Sequence, residues 1–432
     1  MPRKSVFTIF SMLDIRLLRE APAAVKAALA TRSTQFVHLV DQILAIDARR
    51  RESETRVQHL RAERNRLSKQ IGSMKKNGKN SSEIETQVKE FAVEMEEIGC
   101  IATELDAEQR DLLLRVPNLP ALGLPVGSDA AANVAIRHWG KPAPMNSEDH
   151  VAIGERLGLF DLVRAAKISG SGYVLFTGAG ARLERALINF LLDLQTRSHG
   201  YTEIAPPILV RRDCMEGTGQ LPKFEDDMYG FDSGASFLTP TAEVSLTNIY
   251  RDEILQEVEL PIKLTACTPC FRREAGSAGR ETRGMIRMHQ FDKVELVKIT
   301  TGENAERELE ELTAHAEKVL QLLQLPYRVL ELCTGDIGFS AARTYDLEVW
   351  APGQGAYLEV SSCSYFGDYQ ARRMNLRYKN AEGKNQFCHT FNGSGTALPR
   401  LYVALLETHT QPGGPLLLPE SLQPYFGAAQ IG

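Results

Sequence analysis

Three stretches of this sequence place charged and hydroxyl side chains at spacings suited to phosphate chemistry. The first runs Phe271-Arg-Arg-Glu274, continues through a loop from Ala275 to Arg287, and ends in Met288-His-Gln-Phe-Asp-Lys-Val-Glu295. Side chains alternate along a strand, so Arg272 and Glu274 are expected on one face, and Phe291 and Glu295 likewise share one. Such a surface carries a fork for phosphate, two carboxylates and an aromatic plate. The loop adds Gly276, Gly279 and Gly284 with Arg280, Arg283 and Arg287. Glycine lets a backbone approach closely, and arginine supplies planar paired donors for phosphate oxygens. Taken alone, the same residues would also suit an ordinary hairpin with a solvated basic loop.

Two further stretches weigh against that plain hairpin. In Leu358-Glu-Val-Ser-Ser362, a carboxylate (Glu359) and a nearby hydroxyl (Ser362) at a strand end form a candidate Mg2+ site of oxygen ligands. In Asn392-Gly-Ser-Gly-Thr-Ala-Leu-Pro-Arg400, Gly393, Gly395 and Pro399 read as a loop entering a helix. Arg400 then falls in the first turn, where proline is at home and the helix N-terminus attracts anions. No G-x-x-x-x-G-K-[ST] loop occurs, and Gly178-Ala-Gly-Ala-Arg-Leu183 lacks the third glycine of a dinucleotide fingerprint.

The elements that must position these residues are short and mixed. Leu183 to Thr196 reads as an amphipathic helix, and Glu203 to Val210 as a strand broken by Pro206 and Pro207. Ile262 to Phe271, His289 to Ile299 and Tyr357 to Ser362 read as strands, and Leu401 to Glu407 as a helix. Strands joined by loops rather than by regular crossover helices predict an antiparallel sheet flanked by helices, an α+β class.

Upstream the pattern is different. From Phe36 to Leu114 there is no proline and one turn signal, Asn77-Gly-Lys-Asn80, between two long helical patterns. Ile84, Val88, Phe91, Met95, Ile98, Ala102 and Leu105 recur at spacings of four and three, the seam of a coiled coil. Ile43, Ile46, Val57, Leu60, Leu67, Ile71 and Met74 keep the same rhythm, interrupted by Arg50, Ser53 and Arg64. A short turn forces antiparallel pairing, and forty-odd residues at ~1.5 Å each make an arm of roughly 60 Å. Basic residues, among them Arg61, Lys69, Lys75 and Lys76, crowd the first helix and the turn, while glutamates dominate the second. Part of this is attraction between the helices; the rest suits a rod that contacts phosphates. The proline-rich Val116 to Pro125 closes this part, giving domains at 1–125 and 126–432 with the hairpin at about 36–114.

At 432 residues with 43% hydrophobic and 24% charged residues, the chain has a globular balance and calls for two domains. Its net charge of -5 excludes an overall basic coat, though not a local basic surface. No run approaches the ~20 apolar residues of a membrane span. The start, Met1 to Ser11, is too short for a signal or transit peptide, and Met12 offers an alternative start. Seven scattered cysteines suit a reducing cytoplasm, and Cys267-Thr-Pro-Cys270, without a second pair at ribbon spacing, reads as core packing rather than zinc.

Together the three phosphate stretches resemble the three signature motifs of class II aminoacyl-tRNA synthetases, and in detail the bacterial-type seryl branch. The helix from Leu183 and the strand ending at Pro207 resemble motif 1, Phe271 through Phe291 motif 2, and Gly393 to Arg400 motif 3. Thr218-Gly-Gln-Leu-Pro-Lys-Phe224, Pro240-Thr-Ala-Glu243, Ala62-Glu-Arg-Asn65 and Ser68-Lys-Gln-Ile-Gly72 are also similar to that branch. The likeness runs from about Met12 to the last helix. It departs at Pro399, where many members have glycine.

The resemblance implies an N-terminal coiled-coil tRNA-binding arm followed by a class II catalytic domain. It implies ATP-dependent activation of L-serine and transfer to serine tRNA, with selenocysteine tRNA a further candidate. Arg272 would hold the α-phosphate and the serine carboxylate, Glu274 the nucleotide, and Phe291 the adenine; Arg400 would meet the terminal phosphates. Arg273, on the opposite face, would contribute at most a backbone contact to ATP. Glu359 and Ser362 would ligate Mg2+, with Val360 and Ser361 lining the ATP site. Thr241, Ala242, Glu243, Glu295 and Ser394 would form the serine pocket together with Arg272. Arg61, Lys69, Lys75 and Lys76 would contact the long variable arm of the tRNA. Motif 1 implies a homodimer. A carrier-protein ligase on the same catalytic fold lacks such an arm, and an inactive paralogue would lack Arg272, Glu359 or Arg400.

Overall fold

The computed structural model describes residues 13–145, 148–275 and 284–432. The chain forms two compact units, the first ending at Val116 and the second beginning at Pro117. In the first, helix α1 (Val37–Lys76) and helix α2 (Ser82–Arg115) meet at a turn over residues 77–81. Cross-links pair Asp47 with Gln109, Arg50 with Asp106, Arg56 with Glu94 and Lys75 with Glu85. The partner number falls as the first rises, so the helices run antiparallel. At ~1.5 Å per residue, 40 residues make α1 roughly 60 Å long.

Two helices alone cover a seam only in part. Leu60, Leu67 and Leu105 are buried, whereas Val57, Ile84, Val88, Phe91, Met95 and Ile98 are half-buried. Arg50, which interrupts the apolar rhythm, has a structural role. It is buried beside Asp47, which accepts hydrogen bonds from Arg19 Nε at 2.7 Å and Gln109 Nε2 at 3.1 Å. Burial alone would raise the Asp47 carboxyl, but the bonds from Arg19 and Gln109 hold it below the usual range. Near the tip, Lys75 has an acidic partner in Glu85 of the second helix, at 2.8 Å. Arg61, Lys69 and Lys76 are exposed and make no ion pair among the described residues.

The second unit is built on one eight-stranded sheet. Its strands are β1 (Val134–Trp139), β2 (Thr202–Glu203), β3 (Ile262–Phe271), β4 (Gln290–Thr300), β5 (Tyr327–Glu331), β6 (Arg343–Ala351), β7 (Ala356–Tyr365) and β8 (His389–Ala397). They lie in the order β1-β5-β6-β7-β8-β4-β3-β2, antiparallel except for the last pair. Helices α3 (His150–Leu157), α4 (Gly178–Asp193), α5 (Ala242–Thr247), α6 (Ala305–Leu322), α7 (Tyr369–Met374) and α8 (Leu398–His409) flank it. Leu187 and Leu191 of α4, Leu312 and Leu320 of α6 and Leu401 and Leu405 of α8 share one core with Leu296, Leu347 and Val360 of the strands. Among the described residues, no helix is long and apolar enough to cross a membrane.

The α+β reading with a helical hairpin stands. Three local readings need correction. Arg272 and Glu274 do not share a strand face, because β3 ends at Phe271 and Glu274 adopts a left-handed φ of 49°. The chain turns away there as the Arg273 N–H bonds Asp227 O at 2.8 Å. Gly393 and Gly395 lie not in a loop but inside β8, where close packing excludes larger residues. A Cβ at Gly393 would meet Cys363 Sγ at 2.9 Å, and one at Gly395 would meet Val294 at 3.2 Å. Glu359 and Ser362 sit within a strand rather than at its end.

Candidate functional site

A cleft of about 380 Å³ opens over β4, β7 and β8. Its walls come from β3's end, the start of α5 and the start of α8, so residues far apart in sequence converge. Arg272, Glu274, Phe291, Glu359, Val360, Ser362, Arg400, Thr241, Glu243 and Ser394 all line it. Arg273, Ser361, Ala242 and Glu295 do not, although three of them lie directly beneath. Ser361 Oγ donates to Ser394 O at 2.6 Å, Ala242 is buried in α5, and Glu295 is completely buried under the floor. Gly276, Gly279, Arg280 and Arg283 lie outside the described residues.

Strand alternation builds one end of the cleft. Phe291, Lys293 and Glu295 are successive same-side residues of β4, and Glu295 pairs across to Ser394 on β8. Lys293 Nζ lies 2.5 Å from Glu295 Oε2 and donates to Thr241 Oγ1 at 2.8 Å; Thr241 Oγ1 in turn donates to Glu295 Oε2 at 3.2 Å. Asn392 Nδ2 donates to Glu243 Oε2 and to Glu295 Oε1, both at 3.0 Å. Gln370 Nε2 of α7 donates to Glu243 Oε1 at 2.7 Å. The result is a small polar chamber at one end of the cleft, built on two carboxylates. Burial and then the charge of Glu295 push the Glu243 carboxyl up to about 7.

A bulge builds the other end. On β6 and β7, Asp346 faces Ser362, Leu347 faces Ser361 and Glu348 faces Glu359, leaving Val360 as an extra residue. In a regular strand, positions three apart point to opposite faces; the extra residue returns Glu359 and Ser362 to the same side. Behind them, the Asp346 Oδ1 is buried without a hydrogen-bond partner among the described residues. Burial and the adjacent Glu359 raise the Asp346 carboxyl well above its usual range. This corner therefore gathers the oxygens of Glu359, Ser362 and Asp346, with Arg400 Nη1 3.6 Å from Glu359 Oε2, and oxygen ligands are the kind that suit a hard divalent cation.

The arginines stand between the two ends. Arg272 Nε reaches Pro240 O at 3.4 Å, and its guanidinium lies 5.3 Å from the Phe291 ring centre. Arg400 follows Pro399 in the first turn of α8; its Nε donates to Ile286 O at 3.2 Å and its Nη1 to Glu359 O at 2.9 Å. The Pro399 departure leaves Arg400 in the cleft, since proline suits a first turn. Arg287 Nη1 pairs with Glu274 Oε2 at 2.8 Å.

Lys293, Asn392 and Gln370 were not singled out as site residues from the sequence. For Lys293 the signal was present, because the alternation that groups Phe291 with Glu295 includes the residue between them. Asn392 stood at the head of the third stretch without an assigned role. Gln370 arrives from a separate helix, and no spacing rule would have found it.

Comparison with known proteins gives a consistent result. Residues 12–120 match the family described as the seryl-tRNA synthetase N-terminal domain. Residues 229–409 match the tRNA synthetase class II core domain of the G, H, P, S and T type. A serine–tRNA ligase of Akkermansia muciniphila is 62% identical over 418 residues, covering 96% of this chain and 98% of that protein. The crystal structure of seryl-tRNA synthetase from Pyrococcus horikoshii complexed with ATP superimposes with a TM-score of 0.92 at 36% identity, covering 97% of this chain and 99% of the other. A cytoplasmic serine–tRNA ligase of Naegleria fowleri in complex with AMP gives a TM-score of 0.86 at 26% identity, covering 97% and 98%.

Proposed function

The chain belongs to the seryl-tRNA synthetase family, and from that premise we propose how its cleft activates serine with ATP and loads it onto serine tRNA. The observation that carries the reading is the polar chamber at one end of the cleft, lined by Thr241, Glu243, Lys293 and Asn392 above the buried Glu295, which opens onto a trough holding two arginines. A small amino acid with a hydroxyl fits the first, and a nucleoside triphosphate the second.

In the first step the serine carboxylate attacks the α-phosphorus of ATP and pyrophosphate departs in line. The protein supplies positioning and charge neutralisation rather than covalent chemistry. Arg272, at the junction of chamber and trough, holds the carboxylate against the α-phosphate. Arg400 meets the terminal phosphates from α8. Phe291 offers its ring to the adenine, and Glu274, fixed by Arg287, reads the nucleotide. In the second step the terminal hydroxyl of the tRNA attacks the adenylate carbonyl, and AMP leaves.

Mg2+ fits the corner at Glu359 and Ser362, where Asp346 adds an oxygen without a hydrogen-bond partner among the described residues. When bound there, it would offset phosphate charge in the transition state. Val360 supports this corner as the bulged residue, and Ser361 ties it to Ser394. Arg273 and Ala242 play no side-chain role in this reading.

Specificity follows from the chamber. Glu295, beneath the floor, would take the substrate hydroxyl by exchanging one of its present donors, Thr241 or Asn392, an exchange that alanine, lacking a hydroxyl, could not make. The arm, with exposed Arg61, Lys69, Lys75 and Lys76, suits the long variable arm of serine tRNA by shape and phosphate contact. We take the protein to act as a cytoplasmic homodimer through α4 and the strand after it, and selenocysteine tRNA to be a possible further substrate. Pyrophosphate exchange into ATP across a panel of amino acids tests the function directly. Serine should exceed alanine and threonine by orders of magnitude, and equal rates with alanine or glycine would point to a carrier-protein ligase.

A further inference from the structure

We propose that His150, outside the cleft, is a positioning residue for the nucleotide: it anchors residues 284–287 so that Ile286 and Arg287 stay in the trough wall. The inference rests on the ATP-binding reading of that trough. Residues 285–288 line the cleft, whereas His150 and Glu407 do not. His150 is 1% and Glu407 0% exposed at their side chains, on α3 and α8 respectively.

The hydrogen bonds fix the imidazole's tautomer. The Met285 N–H can only donate, and it points to His150 Nε2 at 3.2 Å. Nε2 is therefore the acceptor, and Nδ1 carries the proton. Nδ1 donates to Glu407 Oε1 at 3.0 Å. That oxygen also accepts the His150 N–H at 2.9 Å and Gln354 Nε2 at 2.7 Å, while Oε2 accepts the N–H groups of Gly353 at 2.9 Å and Gln354 at 3.2 Å. Gln354 Nε2 comes within 3.4 Å of Nδ1 because two donors converge on one carboxylate oxygen. With five donors on Glu407, the ring has little freedom to turn.

The chain that His150 holds has been shaped to lie against it. Gly284 has a φ of 70°, and a Cβ there would sit 2.0 Å from His150 Nε2. Only glycine allows both the turn and the contact. Beyond it, Met285 is fully buried, the Ile286 carbonyl accepts from Arg400, and Arg287 pairs with Glu274. Glu407 and Arg400 lie seven residues apart, two turns along one helix and so on one face. Helix α8 thus fixes this segment twice, once directly through Arg400 and once through Glu407 and His150.

The test separates the acceptor from the donor of the ring. In His150→Asn the amide can still donate to Glu407 but cannot reach Met285; in His150→Gln a longer amide oxygen can accept from Met285. Serine-dependent pyrophosphate exchange should show the ATP KM of His150→Asn rising about tenfold, the worth of one buried hydrogen bond. The serine KM should stay within about twofold, since nothing in the chamber rests on Met285, and His150→Gln should recover most of the loss. Hydrogen exchange on the full protein should find the Met285 amide protected in the parent and fast in His150→Asn. An unchanged ATP KM in a folded His150→Asn, or equal loss in both variants, overturns the proposal. Should neither variant fold, a Met285 amide in the parent that exchanges like open loop overturns it, and a protected one supports it. A parent without serine-dependent exchange would sink the serine reading alone; calorimetric titration with ATP then carries the same comparison.

Discussion

Glu243 and Glu295 are joined through one side chain: the Nδ2 group of Asn392 lies 3.0 Å from an oxygen of each. Lys293 contacts only one of the two, Glu295, at 2.5 Å. Glu243 is left with neutral amide donors from Asn392 and Gln370, and burial followed by the charge of Glu295 accounts for its rise to about 7.

That rise makes a signed prediction. Between about pH 4.5 and 7 the folded protein holds a proton on Glu243 that the unfolded chain has released. Stability therefore falls as pH climbs through this window, by up to about 3 kcal/mol for a shift of this size. Glu243→Gln should lack that slope, so its Tm advantage over the parent should widen from about pH 5 to pH 8. Serine binding should respond oppositely, because the substrate ammonium favours the ionised carboxylate. The serine KM of the parent should fall as pH rises through about 7, and that of Glu243→Gln should not. Parallel pH profiles for both proteins would remove Glu243 from this role.

Arg272→Ala and Arg400→Ala should each reduce pyrophosphate exchange by at least about 100-fold while leaving the Tm nearly unchanged. Both side chains are only part-buried and act where charge develops. A variant retaining near-parent exchange would take that arginine out of the mechanism.

Glu359→Gln should raise the Mg2+ concentration needed for half-maximal exchange severalfold, and Ser362→Ala should do so to a smaller degree, since a carboxylate holds the cation more strongly than a hydroxyl. Manganese titration followed by electron paramagnetic resonance gives a binding readout independent of turnover. Identical titrations for parent and variants would place the cation elsewhere.

Changing Arg61, Lys69, Lys75 and Lys76 together to Gln should spare serine activation and cut charging of serine tRNA, with a shallower dependence of tRNA binding on salt. Gln keeps the helix. Lys75 also pairs with Glu85, so restoring Lys75 alone should recover helix stability more than tRNA binding. Parent-like charging at moderate salt would leave these charges as solvation for a structural hairpin.

Light scattering at micromolar concentration should report a species of twice 48.0 kDa. A single species at 48.0 kDa would rule out the homodimer.

The sequence made the hairpin legible because its signal is local: one period, one turn and a long run free of proline. Strands β3 and β4 were equally clear, their apolar residues being bounded by charged and glycine-rich segments. The site was legible as motifs but not as geometry. Alternation failed for Arg272 and Glu274 because both lie beyond Phe271, where the strand ends, and Glu274 takes a left-handed φ of 49°. It also gave no means of seeing that Gly393 and Gly395 serve packing against Cys363 and Val294 inside a strand. His150, Gln370 and Asp346 matter through contacts 100 or more positions away or across a strand pair, and no local pattern marks such residues.

The surplus residue at Val360 has a genetic consequence. What brings Glu359 and Ser362 together is a count of residues between them, one more on this strand than on its neighbour. Val360 itself is buried with the core beneath the cleft and should tolerate an exchange for isoleucine, because the spacing survives. Deleting it would restore an even ladder and turn either the carboxylate or the hydroxyl to the far side of the sheet. At this position the reading frame of the strand is under tighter selection than the identity of the amino acid that fills it.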